Sequence, residues 1–344
     1  MESITIKDIA RICGVGVSTV SRAMNNHPDV NKETKEKIMQ TIEEYHYIPN
    51  NSARNLKRTE ANTIAILVKG SNNPFFYMMI ESFQFYSKDR DFAVLIHQVS
   101  DREDEIEIAM ELVKEKRLKG IVFLGGYFSH TEDKFRKLPV PFVLATITPS
   151  ERVDKELYSH VSVNDVAESE KVVNYLCEKG HRKIAMLVAQ KDDISISNLR
   201  IKGYKQALSK KGIPVDEELI IYTEPDVIDP YNMDNGYQLA KKLLESGKEF
   251  TAVFAISDRM AVGACKAFRE AGIRIPEDIS VAGFDGLDIA HYYNPSLTTV
   301  RQPVDDMAEA AMRILFRLID GGKEQEHCLF EGRLIEGEST KEVK

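Results

Sequence analysis

The residue types best suited to catalysis form no catalytic set in this 344-residue chain. Its eight histidines fall into no ligand-spaced cluster, and its four cysteines (Cys13, Cys177, Cys265, Cys328) make no CxxC pair. No G-x-G-x-x-G follows a strand-like run, and GxxxxGK[ST], GxSxG and HExxH are absent. The expectation is a non-enzyme with no cofactor or metal, its cysteines serving as reduced core thiols. Residues suited to recognition are present instead. In IKDIARICGVGVSTVSRAMN, helical spacing turns Val17, Ser18, Ser21, Arg22 and Asn25 outward, with Val20, Ala23 and Met24 inward. Such a face suits nucleic acid: a guanidinium fork matches guanine O6 and N7, and short Ser and Asn side chains match phosphates. Farther along, GFDG sets Asp285 just past a strand-like run, where a carboxylate can accept hydrogen bonds from hydroxyls. In YIPNNSARNLKRT, Leu56 stands alone among Arg54, Asn55, Lys57 and Arg58, with no packing period around it.

The elements that would carry these residues follow from caps and periodicity. Thr5 can cap a helix from Ile6, with Asp8 completing a variant capping box, and Gly14 ends it. A second helix is expected from Val17 to about Met24. Asn31 caps a third, whose Ile38, Ile42 and Tyr45 would share one small core with Ile9, Val20 and Met24. From Thr63 the pattern changes to apolar runs alternating with amphipathic stretches: TIAILV, FAVLIHQV, GIVFLGG and PFVLATI, with helices at about 75–89 and 102–117. The theme restarts at HVSVND (160–165) and continues through KIAMLVA, LIIYT, AVFAIS and SVAGFD, again with helices between. Near-continuous apolar strands separated by helices mean parallel sheets covered on both faces. The fold class is α/β: a three-helix helix-turn-helix head followed by two doubly wound lobes, whose ligands belong beyond the C-terminal strand ends. The head is placed at 1–48, a linker at 49–60 and the two-lobed body at 61–344. Within the body the first lobe takes about 61–161 and 291–320, and the second about 162–290 and 321–340.

Bulk properties agree with that organisation. Apolar content of 43% and charged content of 29% are those of a globular protein. Net charge is −8, yet residues 1–60 balance at +1, so DNA contact must come from a small local face. The N-terminus lacks the basic and apolar segments of a secretory signal, and no apolar run approaches a membrane span of roughly 18 residues. A cytoplasmic protein without a membrane partner is expected. His181, after Gly180 at a helix end, is assigned a structural role.

The run IKDIARICGVGVSTVSRAMNN with YIPNNSARNLKR resembles the LacI/GalR family of bacterial transcriptional regulators. GHRKIAMLV, SDRMAVGACKAF, RIPEDISVAGFDGLDIAHYYNPSLTTVRQP and LIEGEST extend the resemblance over essentially the whole chain. It implies a homodimer on a palindromic operator, a repressor with a periplasmic-binding-protein-like sensor, and a sugar-like effector in the cleft between the lobes. By position, Val17, Ser18 and Arg22 would meet base edges, while Thr5, Ser21, Asn25, Asn31, Thr34, Tyr47 and Asn50 would hold phosphates. Residues 50–58 would form a hinge helix, with Leu56 wedged into the central base step in the minor groove and Ala53 letting paired hinges approach. The resemblance assigns Phe75, Phe76, Thr146, Arg200, Tyr231, Ser257, Asp285 and Gln302 to the effector site. Gly16 stands where the family places a Ser or Thr cap, and Thr146 where many sugar-responsive members carry Asp or Asn. The tail LIEGEST lacks the family's usual arginine. No leucine heptad follows, which favours a dimer over a tetramer. A corepressor- or phosphocarrier-dependent regulator with a nucleobase or protein effector stays open, as does a sugar-binding module without DNA activity.

Overall fold

The computed structural model describes residues 4–24, 27–45, 47, 62–70, 73–100, 103–126, 132–147, 149, 153–191 and 196–343. The chain forms two compact units, 1–61 and 62–344.

The smaller unit holds α1 (Ile6–Cys13), α2 (Val17–Met24) and α3 (Lys32–Glu44). The Thr5 amide and hydroxyl both donate to Asp8 Oδ2, at 3.1 and 2.6 Å, which satisfies the start of α1. Gly14 ends the helix at φ 68°, a left-handed conformation that costs glycine little. Asn31 caps α3 by accepting from the Thr34 amide at 2.8 Å. Ile9, Ala10, Cys13, Val20, Ala23 and Ile38 form the core of the unit. Tyr45 is not part of it: at the C-cap of α3 the helix has turned it out to 45% exposure, and Tyr47 packs instead.

The larger unit begins with β1 (Thr63–Lys69), α4 (Pro74–Lys88), β2 (Ala93–Val99), α5 (Glu105–Lys116), β3 (Gly120–Leu124), the single turn α6 (Glu132–Phe135), β4 (Phe142–Ala145) and β5 (Ser159–Val163). There follow α7 (Asp165–Glu178), β6 (Ile184–Val188), α8 (Ile196–Lys210), β7 (Ile220–Tyr222), α9 (Met233–Glu245), β8 (Ala252–Ala255), α10 (Asp258–Glu270) and β9 (Ser280–Ala282). The chain closes with α11 (Asp288–Tyr292), β10 (Thr299–Arg301), α12 (Val304–Ile319), β11 (His327–Phe330) and β12 (Arg333–Ile335). Two parallel sheets result among the described residues, ordered β11-β5-β4-β3-β1-β2 and β7-β6-β8-β9, with β10 and β12 paired antiparallel as a separate ribbon. Strand β1 explains the apolar runs: Ile64, Ile66 and Val68 enter one core cluster, and Ala65 and Leu67 enter another. Side chains that alternate between two covered faces leave no polar phase in the sequence.

The sheets correct the expected lobe boundaries at three places. Strand β5, where the second lobe was expected to start, pairs with β4 in the first sheet. The chain changes lobe after the C-terminal end of a strand, so β5 still belongs to the first. Strand β11, expected in the second lobe, pairs with β5, because the preceding α12 packs on the first sheet. Residues up to Thr298, expected from 291 in the first lobe, stay with the second, where Thr298 bridges Ala282. The tail is zipped to the second lobe as well: Ser339 donates to the Val281 carbonyl at 2.6 Å and accepts from the Thr298 amide at 2.9 Å.

Candidate functional sites

In the head, Val17 is 41% exposed and Ser18, Ser21 and Arg22 are exposed beside it, while Val20 and Ala23 are buried. Four of the five residues expected outward, Val17, Ser18, Ser21 and Arg22, are therefore exposed together on α2. Thr5 and Asn31 are exposed, and Thr34 and Tyr47 are half-buried. The Thr5 hydroxyl is engaged by Asp8 and Asn31 Oδ1 by its cap, so both also hold the helix starts. Asn25, Asn50, Ala53 and Leu56 lie outside the described residues, as does the 49–60 segment.

The body contains a cleft of about 950 Å³, its open mouth included, lined from both lobes. Phe75, Phe76, Thr146, Arg200, Tyr231, Asp285 and Gln302 all line it. Asn73 caps α4 by accepting from the Phe75 amide at 3.1 Å, which sets the two aromatic rings at the start of that helix. Phe75 is almost wholly buried and also serves the lobe core, while Phe76 is half-buried. Gly125 makes room for the Phe76 ring: a Cβ there would lie 2.4 Å from it, and its φ of 73° disfavours any side chain.

The polar centre is a buried network spanning the lobes. Arg200, on α8, is 2% exposed and donates from Nε to Asp165 Oδ1 at 2.8 Å and from a terminal nitrogen to the Ile256 carbonyl. Its guanidinium lies 3.6 Å from the centre of the Phe284 ring and 3.9 Å from Asp285 Oδ1. Gln302 Nε2 donates to that same oxygen at 2.9 Å. Burial pushes the Asp165 carboxyl above its ordinary range, against the pull of Arg200. Asp285 is also pushed up by burial, to about 7, again opposed by Arg200. Behind it Asp258, the first residue of α10, accepts from the Thr299 hydroxyl at 2.6 Å and the Leu287 amide at 2.8 Å. Burial and the neighbouring Asp285 raise its carboxyl well above the usual value.

Asp285 and Thr146 carry positive φ, 118° and 60°. For a β-branched residue such as Thr146 this is a strained backbone of the kind found at binding sites. The Thr146 amide donates to the Val161 carbonyl at 2.8 Å, while its hydroxyl is buried with no hydrogen-bond partner among the described residues.

Ser257 does not line the cleft. Its hydroxyl caps α10 by accepting from the Met260 amide at 3.2 Å and donates to the Tyr231 carbonyl at 3.1 Å, because a strand-end serine before a helix is spent as an N-cap. It thereby anchors the loop that carries Tyr231. Lys69, Asn73, Ser162, Asp165 and Asp229 line the cleft and were missed. Lys69 ends β1, and Ser162 and Asp165 flank the end of β5; the rule that places ligands at C-terminal strand ends would have found them. His181 sits away from this cleft, hydrogen-bonded to Thr251, Ser280 and the Lys341 carbonyl.

Two family models match the chain: bacterial regulatory proteins, lacI family, over residues 5–50, and a periplasmic binding protein-like domain over residues 173–340. The HTH-type transcriptional regulator MalR of Clostridium butyricum is 42% identical over 336 residues, which cover 97% of this chain and 98% of that protein. The solved complex of the transcriptional regulator CelR with cellobiose matches with a TM-score of 0.71 at 28% identity, covering 98% of this chain and 99% of that one. A LacI family transcriptional regulator from Enterococcus faecium with bound ribose matches with a TM-score of 0.70 at 26% identity, covering 82% of this chain and 100% of that one. No helix of the described residues is long and apolar enough to cross a membrane. An exposed face on the second helix of a helix-turn-helix head, a two-lobed body with a lined cleft, and relatives matched end to end lead to one conclusion: the chain belongs to the lacI family of bacterial regulatory proteins and is a DNA-binding transcriptional regulator with a small-molecule effector.

Proposed function

We propose that this regulator represses transcription as a cytoplasmic homodimer on a palindromic operator, and that a carbohydrate in the inter-lobe cleft switches it. The observation that carries the effector half is the make-up of the cleft: Phe75, Phe76 and Tyr231 supply aromatic wall, and Arg200, Asp285 and Thr146 supply polar anchors. Aromatic walls with few oriented polar groups suit a polyol that presents apolar ring faces and hydroxyl edges. The bound cellobiose and ribose of the two structural relatives support the same class. In the head, Val17, Ser18 and Arg22 read base edges, and Thr5, Ser21, Asn25, Asn31, Thr34, Tyr47 and Asn50 contact phosphates. Leu56 wedges the central base step and Ala53 lets the paired hinges meet. Dimerisation is supported by an apolar face of α4, where Tyr77 is 58% and Phe85 64% exposed, next to edge strand β2 with Ile96 at 44%. The test is a gel shift on a palindrome with a central CpG, titrated with mono- and disaccharides. Retardation at a dimer stoichiometry that a sugar alters is expected; sequence-specific binding indifferent to every sugar, nucleoside and sugar phosphate would overturn the effector assignment.

A further inference from the structure

Among the described residues, the cations that line the cleft are already matched by protein carboxylates. Lys69 Nζ lies 2.7 Å from Glu105 Oε2, both side chains buried, and donates to the Glu103 carbonyl at 2.9 Å. Arg200 is matched by Asp165 at 2.8 Å, with both side chains buried. Asp229, which lines the cleft, pairs with Arg259 at 3.3 Å. Among the described residues, three carboxylates, Asp165, Asp229 and Asp285, line the cleft with the two cations Lys69 and Arg200. An incoming anion would therefore find Lys69 and Arg200 already paired with protein carboxylates.

Hydrogen-bonding capacity is left over where charge is not. The Thr146 hydroxyl is buried with no hydrogen-bond partner among the described residues. Asp285 Oδ1 accepts from Gln302, and Oδ2 receives no hydrogen bond from a described residue. Arg200 uses Nε and one terminal nitrogen on Asp165 and Ile256, which leaves the other terminal nitrogen to donate. A buried polar atom without a partner is costly unless a ligand supplies one.

We propose that the cleft selects an uncharged, hydroxyl-rich ligand and rejects its phosphorylated or carboxylated counterparts, because its cations are neutralised by protein carboxylates while its donors and acceptors are not. This rests on the carbohydrate reading above and narrows it to neutral sugars. Ligand hydroxyls would donate hydrogen bonds to Asp285, a ligand oxygen would accept from the remaining Arg200 terminal N–H, and the Thr146 hydroxyl would bond to either kind of group.

The test sets neutral sugars against charged forms on the full chain: glucose with glucose 6-phosphate and glucuronate, ribose with ribose 5-phosphate, and trehalose with trehalose 6-phosphate, with maltose and cellobiose as further neutral ligands. A neutral sugar should raise the melting temperature and bind at least about 100-fold more tightly than its charged counterpart. A phosphorylated form that binds as well as its parent overturns the proposal. Asp229→Asn releases Arg259, so discrimination against the phosphorylated form should fall about tenfold; an unchanged ratio also overturns it. In a second arm, the small molecules of a bacterial extract are divided on a strong anion exchanger, and activity that alters operator binding should be in the flow-through; activity retained on the resin is the contrary result. Periodate, which cleaves vicinal diols, separates the two readings. Flow-through activity that survives it removes the carbohydrate and leaves charge selection standing. No shift in either arm counts against both.

Discussion

Arg200→Ala tests whether the buried network is the structural centre of the body. The substitution strips Asp165 Oδ1 of its 2.8 Å donor, the Ile256 carbonyl of another, and Asp285 of its nearest cation. It also leaves the Phe284 face uncovered. Removing one partner of a buried ion pair costs about 3–5 kcal/mol, since the other charge stays buried and unmatched. The body spans residues 62–344, and at about 2.1 cal/mol/K per residue its unfolding entropy is roughly 0.6 kcal/mol/K. A loss of about 4 kcal/mol then lowers the melting temperature by about 7 °C. Calorimetry at pH 7.5 reads it directly. The deficit should shrink towards pH 5.5, because the unmatched carboxyls, already held above their ordinary range by burial, relieve themselves by taking protons. Adding Asp165→Asn should recover part of the loss. A variant that melts within about 2 °C of the parent, with ligand response gone, would refute the network argument and leave Arg200 as a ligand contact alone.

Two further outcomes follow from other parts of the chain. Leu56→Ala should lower affinity for the palindromic operator far more than for random DNA, with effector affinity unchanged; equal losses on both DNAs, in parallel gel shifts, would remove the wedge. In the body, His160 on β5 and its register partner His327 on β11 bring their Nδ1 atoms to 2.7 Å, which requires one nitrogen to be unprotonated. Burial and the neighbouring His327 and Lys155 hold the His160 imidazole at about 4, below the 6.5 of an unperturbed histidine. Between those values the unfolded chain binds a proton that the folded chain refuses. This contribution is therefore full above about pH 6.5 and is lost as pH falls through about 4, a difference of about 3 kcal/mol. Urea unfolding of His160→Gln across pH 7 to 4 should show a flatter profile than the parent, and identical profiles would discard the assignment.

The parts of this fold legible in the sequence are those where local chemistry leaves one choice. Thr5, Gly14 and Asn31 mark helix ends because each meets a backbone need that few residues can meet. Strand β1 is legible as a doubly covered strand because TIAILV has no polar phase. The lobe boundary was not legible, because a strand that ends one lobe looks the same as one that begins the next. HVSVND reads as a strand either way, and only its pairing with β4 decides. The site divides along the same line. Asp285 stood out because GFDG ends an apolar run, whereas Asp165 was hidden behind Asn164, whose capping of α7 gives an acidic first turn a sufficient local explanation. Ser257 departs in the other direction: the family resemblance assigned it to the cleft wall, whereas its hydroxyl caps the following helix.

The placement of the hidden residues shows how a ligand could act on the rest of the chain. Asp165 opens α7 directly after the crossover from β5, and Asp285 and Gln302 flank the second crossover, where the Gln302 amide also donates to the Asp285 carbonyl at 3.2 Å. The third crossover is held by the same helix, since Lys171 donates to the Gly332 carbonyl at 2.6 Å. Arg200 thus ties a second-lobe helix to residues at two of the three places where the chain passes between lobes. A ligand that bonds Asp285 or Arg200 changes the groups that set those crossovers, and its affinity must differ between lobe arrangements that present these groups differently. That difference is the free energy available for switching, and its sign decides between release and retention of DNA. Effector binding measured with and without operator must therefore give the same coupling as operator binding measured with and without effector.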